Sequence, residues 1–217
     1  FRSMGKQVIG AGRDIDDARK PVFVERNGVT IAFLAYCSIV AEGHDAGQGK
    51  AGIAPMRAQT YYMRRGDANE DSQPGTPQRI FTVPYEEDLR TLQDDVRQAK
   101  KQADVVVMSI HWGIHHIPKT IATYQPKIAH AAIDAGADLI LGHHAHLLHG
   151  IEVYKGKTCF YGLCNFMQVG ARERLLRGKH RIGKISKVPD PGPEWPLYVY
   201  HPDARMSMVA KCLITKE

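Results

Sequence analysis

Asp104-Val-Val-Val-Met-Ser-Ile-His111 and Asp138-Leu-Ile-Leu-Gly-His-His144 decide the fold, because each is an apolar run of strand length that ends in histidine. Runs without polar alternation are buried on both faces, as central strands of a parallel sheet are. Between them, Gln125 to Ala135 carries apolar residues at helical spacing and is stopped by Gly136, so the stretch reads as β-α-β. In open α/β sheets the ligand crevice lies beyond the carboxyl ends of the strands. The two histidine-bearing ends are therefore expected to meet in one site.

Working outward, Pro21 to Glu25, the turn Asn27-Gly28 and Val29 to Tyr36 read as a hairpin, since Asn-Gly supplies the positive φ angles of a tight turn. Residues 38 to 83 are long, polar and glycine-rich and read as a surface excursion. After Pro84, Leu89, Leu92, Val96, Ala99 and Ala103 recur at helical spacing, predicting a helix to about Gln102. Ile151 to Tyr154 and Thr158 to Leu163 flank Lys155-Gly156-Lys157 as a second hairpin. Residues 168 to 196 read as a basic loop rich in Pro and Gly, and Arg205 to Thr215 alternates like a final strand.

The 217 residues suffice for one domain with its own core. At 43% hydrophobic and 24% charged, the composition excludes fibrous and wholly disordered classes. No apolar run approaches the roughly 18 residues of a membrane-spanning helix. The opening Phe1-Arg-Ser-Met-Gly-Lys6 has no signal-peptide core and reads as an internal start. The compartment stays open between the cytoplasm and the outer face of the cell membrane. Four cysteines form no C-x-x-C pair, and three lie in apolar runs as expected buried thiols. The net charge is +6. Arg172 to Lys187 alone carries seven cations and one acid, while the rest of the chain balances. That stretch has neither aromatic interleaving nor a nucleic-acid motif, which argues against a nucleic-acid partner.

Eight of the 11 histidines fall between His111 and His149, where even spreading would put about two. Neutral imidazole binds Zn, Mn, Fe, Ni and Cu, so several on short loops predict a divalent-metal site. His111, His144 and His146 are the candidate ligands. His143 is open between ligand, support for a ligand and acid catalyst. His115, His116 and His149 read as supporting or rim residues; His44, His130, His180 and His201 read as ordinary surface histidines. Asn165, after an apolar run, is a candidate for holding a ligand or substrate oxygen, and equally for satisfying a turn. Trp112 reads as packing.

Ser109-Ile-His-Trp-Gly113, Gln125-Pro126, Ile133-Asp-Ala-Gly-Ala-Asp138, Gly142-His-His-Ala-His146, Gly150-Ile-Glu-Val-Tyr-Lys-Gly-Lys157 and Phe160-Tyr-Gly-Leu-Cys-Asn-Phe166 follow in an order and spacing that resembles the CapA family of bacterial poly-γ-glutamate capsule biosynthesis proteins, in the calcineurin-like metallophosphoesterase superfamily. Val8-Ile-Gly-Ala-Gly-Arg13, Ala32-Phe-Leu-Ala-Tyr36 and Gly52-Ile-Ala-Pro55 are similar to the same family, so the resemblance runs from about residue 8 to 166. It implies a single α/β domain, a four-layer α/β/β/α sandwich with a two-metal centre (Mn, Fe or Zn) at the strand ends. His111 matches the lone histidine after a central strand, and Gly142 to His146 matches the terminal histidine motif with one extra residue.

The family's first metal aspartate and its Asn-His motif have no counterpart here. The chain then corresponds to the C-terminal part of the domain, and an N-terminal segment or a second chain would complete the centre. The resemblance implies a binuclear metal-dependent hydrolase acting on a phosphoester or on amide linkages of an anionic glutamyl polymer. In that reading His111, His143 and Asn165 serve the chemistry, and Arg174, Arg177, Lys179 and Arg181 draw in the polyanion. The competing expectation is a non-catalytic accessory protein that binds the growing polyanion.

Overall fold

The computed structural model describes residues 2–63, 77–167 and 202–215. Short strand β1 (Ala11–Gly12) precedes α1 (Ile15–Arg19), whose cap Asp14 accepts a hydrogen bond at 2.8 Å from the Asp17 backbone N–H. Then follow β2 (Val22–Arg26), β3 (Val29–Cys37), β4 (Gly52–Ile53), β5 (Ala58–Met63) and β6 (Arg79–Pro84). Next come α2 (Glu86–Lys100), β7 (Val105–His111), α3 (Tyr124–Ala135), β8 (Leu139–His143), β9 (Ile151–Tyr154) and β10 (Lys157–Phe160).

Six strands form one mixed sheet in the order β2-β3-β7-β8-β10-β9. Its four inner strands, β3, β7, β8 and β10, are parallel, and the antiparallel edges β2 and β9 are the two expected hairpin arms. Asn27 (φ 50°) and Gly28 (φ 73°) make the first turn in the left-handed region. Helix α3 ends at Gly136, at φ 119°, as the sequence predicts.

Alternation along the inner strands sorts the side chains onto two faces. One face carries Leu34, Val106, Met108, Ile110, Ile140 and Cys159, all buried, in one core with Leu92, Val96 and Ala99 of α2 and Ile128, Ala129 and Ala132 of α3. Burying a side chain such as Met108 or Ile128 stabilises the fold by about 1.5–3 kcal/mol. Asp138 fastens the entry to β8: it accepts from Lys100 of α2 at 2.8 Å, from Lys157 of β10 at 2.7 Å and from the Val106 N–H of β7 at 2.9 Å. Phe33, Ala35, Ser109, Leu141 and Phe160 on the other face are only half-buried.

Two sequence expectations change. Residues 38–83 are not all irregular: β5 and β6 pair with each other as a separate two-stranded sheet, β1 pairs with β4, and Met56 and Ala54 join the core. The strands were illegible because Tyr61, Tyr62 and Met63 are exposed, so no burial alternation marks them. Residues 206–215 form no strand, although they alternate. They have no ladder partner among the described residues, and Lys211 to Thr215 line one cavity with Val105, Leu139, Thr158 and Phe160 of the half-buried face. Cys37 and Cys159 are buried thiols, whereas Cys164 is half-buried and Cys212 exposed. Among the described residues no helix is long and apolar enough to cross a membrane. The basic stretch with Arg174, Arg177, Lys179 and Arg181 lies outside the described residues.

Candidate metal centre

The site sits at the carboxyl edge of the parallel strands. Pairing puts Cys37, His111 and His143 side by side at the ends of β3, β7 and β8, as the strand-end reading expects. His111 and His143 line a cleft of about 460 Å³ with Ser109, Cys37, Ala35 and Gly10. Backbone bonds fix the edge: Ser38 N–H donates to the His111 carbonyl at 2.9 Å and Trp112 N–H to the His143 carbonyl at 3.2 Å.

Trp112 is fully buried, stacks on Tyr161 and donates its indole N–H to the Tyr161 carbonyl at 3.1 Å, so it packs rather than binds. A Cβ at Gly142 would stand 2.4 Å from the Tyr161 carbonyl oxygen and 2.6 Å from the Trp112 indole nitrogen. Only glycine lets β8 pass this close, which is why the histidine run opens with one. Gly113, at φ 91°, turns the chain after Trp112, and its N–H donates to the Tyr124 hydroxyl at 2.6 Å.

Two loops carry the remaining rings. In the loop after β8, His144 has φ 95° and His146 φ 54°; in the loop after β7, His116 has φ 56°. Non-glycine residues held there cost on the order of 1–3 kcal/mol each and cluster at functional sites. The loops are stitched together by His116 N–H donating to the Ala145 carbonyl at 3.0 Å. In the loop after β10, Leu163 N–H donates to the Gly142 carbonyl at 3.0 Å, and this loop carries Asn165.

His144 Nδ1 and His111 Nε2 lie 3.0 Å apart, sharing one proton. His146 Nδ1 meets the Asn165 side-chain carbonyl oxygen. An amide oxygen only accepts, so His146 carries its proton on Nδ1 and its lone pair on Nε2. That is how a metal-binding imidazole is usually oriented by its neighbour. His143 lies beside His111 on the sheet edge and lines the same cleft.

His115, read as a supporting or rim residue, is exposed and joins the cluster, its ring lying 4.0 Å from His116, 5.0 Å from His144 and 4.9 Å from His146, centre to centre. The signal was the His115-His116 pair directly after the Trp112-Gly113 turn. His130 and His149 stay outside: His130 bonds Glu152 at 2.9 Å, and His149 is buried beneath the loop.

The electrostatics favour neutral rings. Partial burial, then the neighbouring imidazoles, hold His144 down at about 4 and push His111 and His115 below the ordinary histidine value; burial alone lowers His143. No carboxylate figures among these influences. Neutral imidazole is the form that binds metal. Among the described residues no group of three or more His, Cys, Asp or Glu side chains is placed to hold a metal ion. The donor chemistry nevertheless suits a divalent cation: neutral His111 and His144 each keep one bare ring nitrogen, and a tautomer shift of the donor ring turns both facing nitrogens into lone-pair donors.

Fold and site together define an α/β protein with a cluster of histidines at the sheet edge. The chain belongs to the family of the bacterial capsule synthesis protein PGA_cap, whose model matches residues 1–169. It is 32% identical over 168 residues to the PGA biosynthesis protein CapA of Bacillus subtilis (strain 168), covering 77% of this chain and 36% of that protein. It is 28% identical over 167 residues to the capsule biosynthesis protein CapA of Bacillus anthracis, covering 77% and 34%. A "Probable polyglutamine synthesis accessory protein" of Mycobacterium tuberculosis is 30% identical over 162 residues, covering 73% and 36%. The chain thus spans about a third of the length of the curated relatives it matches.

Proposed function

We propose that this chain carries the histidine half of a metal-dependent hydrolase centre, acting on a phosphoester or on amide linkages of an anionic glutamyl polymer. The supporting observation is the contact of His111 with His144 at the carboxyl edge of adjacent parallel strands, 33 residues apart in sequence. His111, His144 and His146 would hold the cation, which supplies Lewis acidity toward a phosphoryl or carbonyl oxygen. A two-cation centre draws further ligands from outside this chain, in an N-terminal segment or a second chain. On this reading the sheet is one half of a four-layer α/β/β/α sandwich, whose second sheet covers the half-buried face.

The remaining residues have distinct tasks. Asn165 holds His146 in one tautomer. His143, half-buried and held in its neutral form, stands in the cleft where its bare ring nitrogen can accept a proton from an attacking water or its N–H can orient a substrate oxygen. The basic segment with Arg174, Arg177, Lys179 and Arg181 follows this loop in sequence and raises the local concentration of polyanion. The polymer is taken from the relatives, whose names speak of capsule and PGA biosynthesis.

A second reading, a polyanion-binding accessory protein without turnover, accords with the accessory role in the name of the mycobacterial relative. Turnover separates the two. The protein, loaded with zinc or manganese, is incubated with poly-γ-glutamate and with p-nitrophenyl phosphate. Metal-dependent release of product that His144→Ala abolishes supports hydrolysis; polymer binding with no product under any metal supports the accessory role.

A further inference from the structure

We propose that His115 is an additional metal ligand, which gives this chain a nitrogen-rich cation site selecting zinc or cobalt over manganese. The inference deepens the reading above and rests on its claim that His111, His144 and His146 hold a cation.

Position carries the argument. His115 follows the Gly113 turn at the end of β7, and the His116 N–H bond to the Ala145 carbonyl pins this turn against the loop of His144 and His146. The His115 ring therefore stands over that loop, within 5.0 Å, centre to centre, of both His144 and His146. His144 in turn touches His111. With His116, 4.0 Å from His115 and 5.4 Å from His146, five rings form one cluster whose members sit on three backbone segments: the end of β7, the turn after it and the loop after β8. His115 is exposed, so its ring can turn without disturbing the core. A residue that only packed would not need an imidazole there.

Composition carries the selectivity. The side chains packed ring to ring around His115 and His144 are other imidazoles, those of His111, His116 and His146. Oxygen donors suit manganese and magnesium, whereas imidazole suits zinc, cobalt, nickel and copper. Each nitrogen added to the set shifts the preference toward the second group.

The test is metal binding by the 217-residue chain, read by calorimetry with Co²⁺, Zn²⁺ and Mn²⁺ and by the visible spectrum of the Co²⁺ form. Wild type, His115→Ala, His115→Glu and His144→Ala are compared, with circular dichroism confirming the fold of each. The expected result is that His115→Ala loses about tenfold or more in Co²⁺ and Zn²⁺ affinity and alters the cobalt bands. His115→Glu should narrow the ratio of Co²⁺ to Mn²⁺ affinity. If both His115 variants keep wild-type affinities and spectrum while His144→Ala loses them, His115 is not a ligand and the centre stands without it. If His144→Ala also binds as wild type does, or the wild type binds no metal, the metal reading itself falls and this inference falls with it.

Discussion

His111 and His144 meet nitrogen to nitrogen at 3.0 Å although one ends a strand and the other opens the loop beyond the next strand. The contact depends on the parallel pairing of β7 with β8, in which His111 stands opposite His143. That register sends the following residue, His144, out of the sheet at φ 95° and back toward His111.

His144→Ala should therefore lower divalent-metal affinity by at least about a hundredfold with little change in thermal stability. The residue is a half-buried loop side chain outside the hydrophobic core, and alanine keeps the same positive φ, so the change in stability should stay within about 1 kcal/mol. Calorimetric titration beside a thermal melt in chelator checks both halves. A large drop in melting temperature with intact metal affinity contradicts the assignment.

His144 is held at about 4, against 6.5 for an ordinary histidine. Its folded value is depressed, so its contribution to stability is present in full above 6.5 and is lost as pH falls toward 4. In metal-free protein, an NMR titration should show the His144 ring still neutral at pH 6. A midpoint near 6.5 would show that the ring is not enclosed by its neighbours.

Asn165→Ala removes the group that fixes the proton of His146 on Nδ1. Metal affinity should fall about 10- to 100-fold, the usual effect of losing such a partner. Asn165→Asp, which keeps an acceptor oxygen, should recover most of it. Equal losses in the two variants would mean that Asn165 serves only the turn.

Asp138→Ala should cost about 2 kcal/mol, since it leaves Lys100, Lys157 and the Val106 N–H without their shared acceptor. At this chain length the melting temperature should drop about 4–8 °C. Burial pushes the Asp138 carboxyl up most strongly, but the bonds from Lys100, Lys157 and Val106 outweigh it and hold it below 3.8. Its contribution is accordingly present above 3.8 and lost as pH falls through the folded value. A mutant as stable as wild type at pH 7 would contradict the fastening role.

Sequence and structure agree where local chemistry decides the outcome. The two histidine-bearing strands, the helix stopped at Gly136 and the Asn27-Gly28 hairpin all follow from burial pattern and turn residues. Strands β5 and β6 escaped because they pair only with each other and expose both tyrosines, leaving no period to read. Residues 206–215 misled in the opposite direction: alternation there is real, but a strand also needs a partner ladder. His115 looked like a rim residue because a sequence shows neighbours along the chain. The Gly113 turn and the bond from His116 to Ala145 are what bring it over the other loop.

The central claim is that these histidines hold a divalent cation, and elemental analysis of the purified protein tests it most directly. After equilibration with zinc and exhaustive dialysis, the chain should retain about one zinc or more, and His111→Ala and His144→Ala should each retain far less while staying folded. Wild type that emerges free of metal, or variants that keep as much as wild type, would contradict the account.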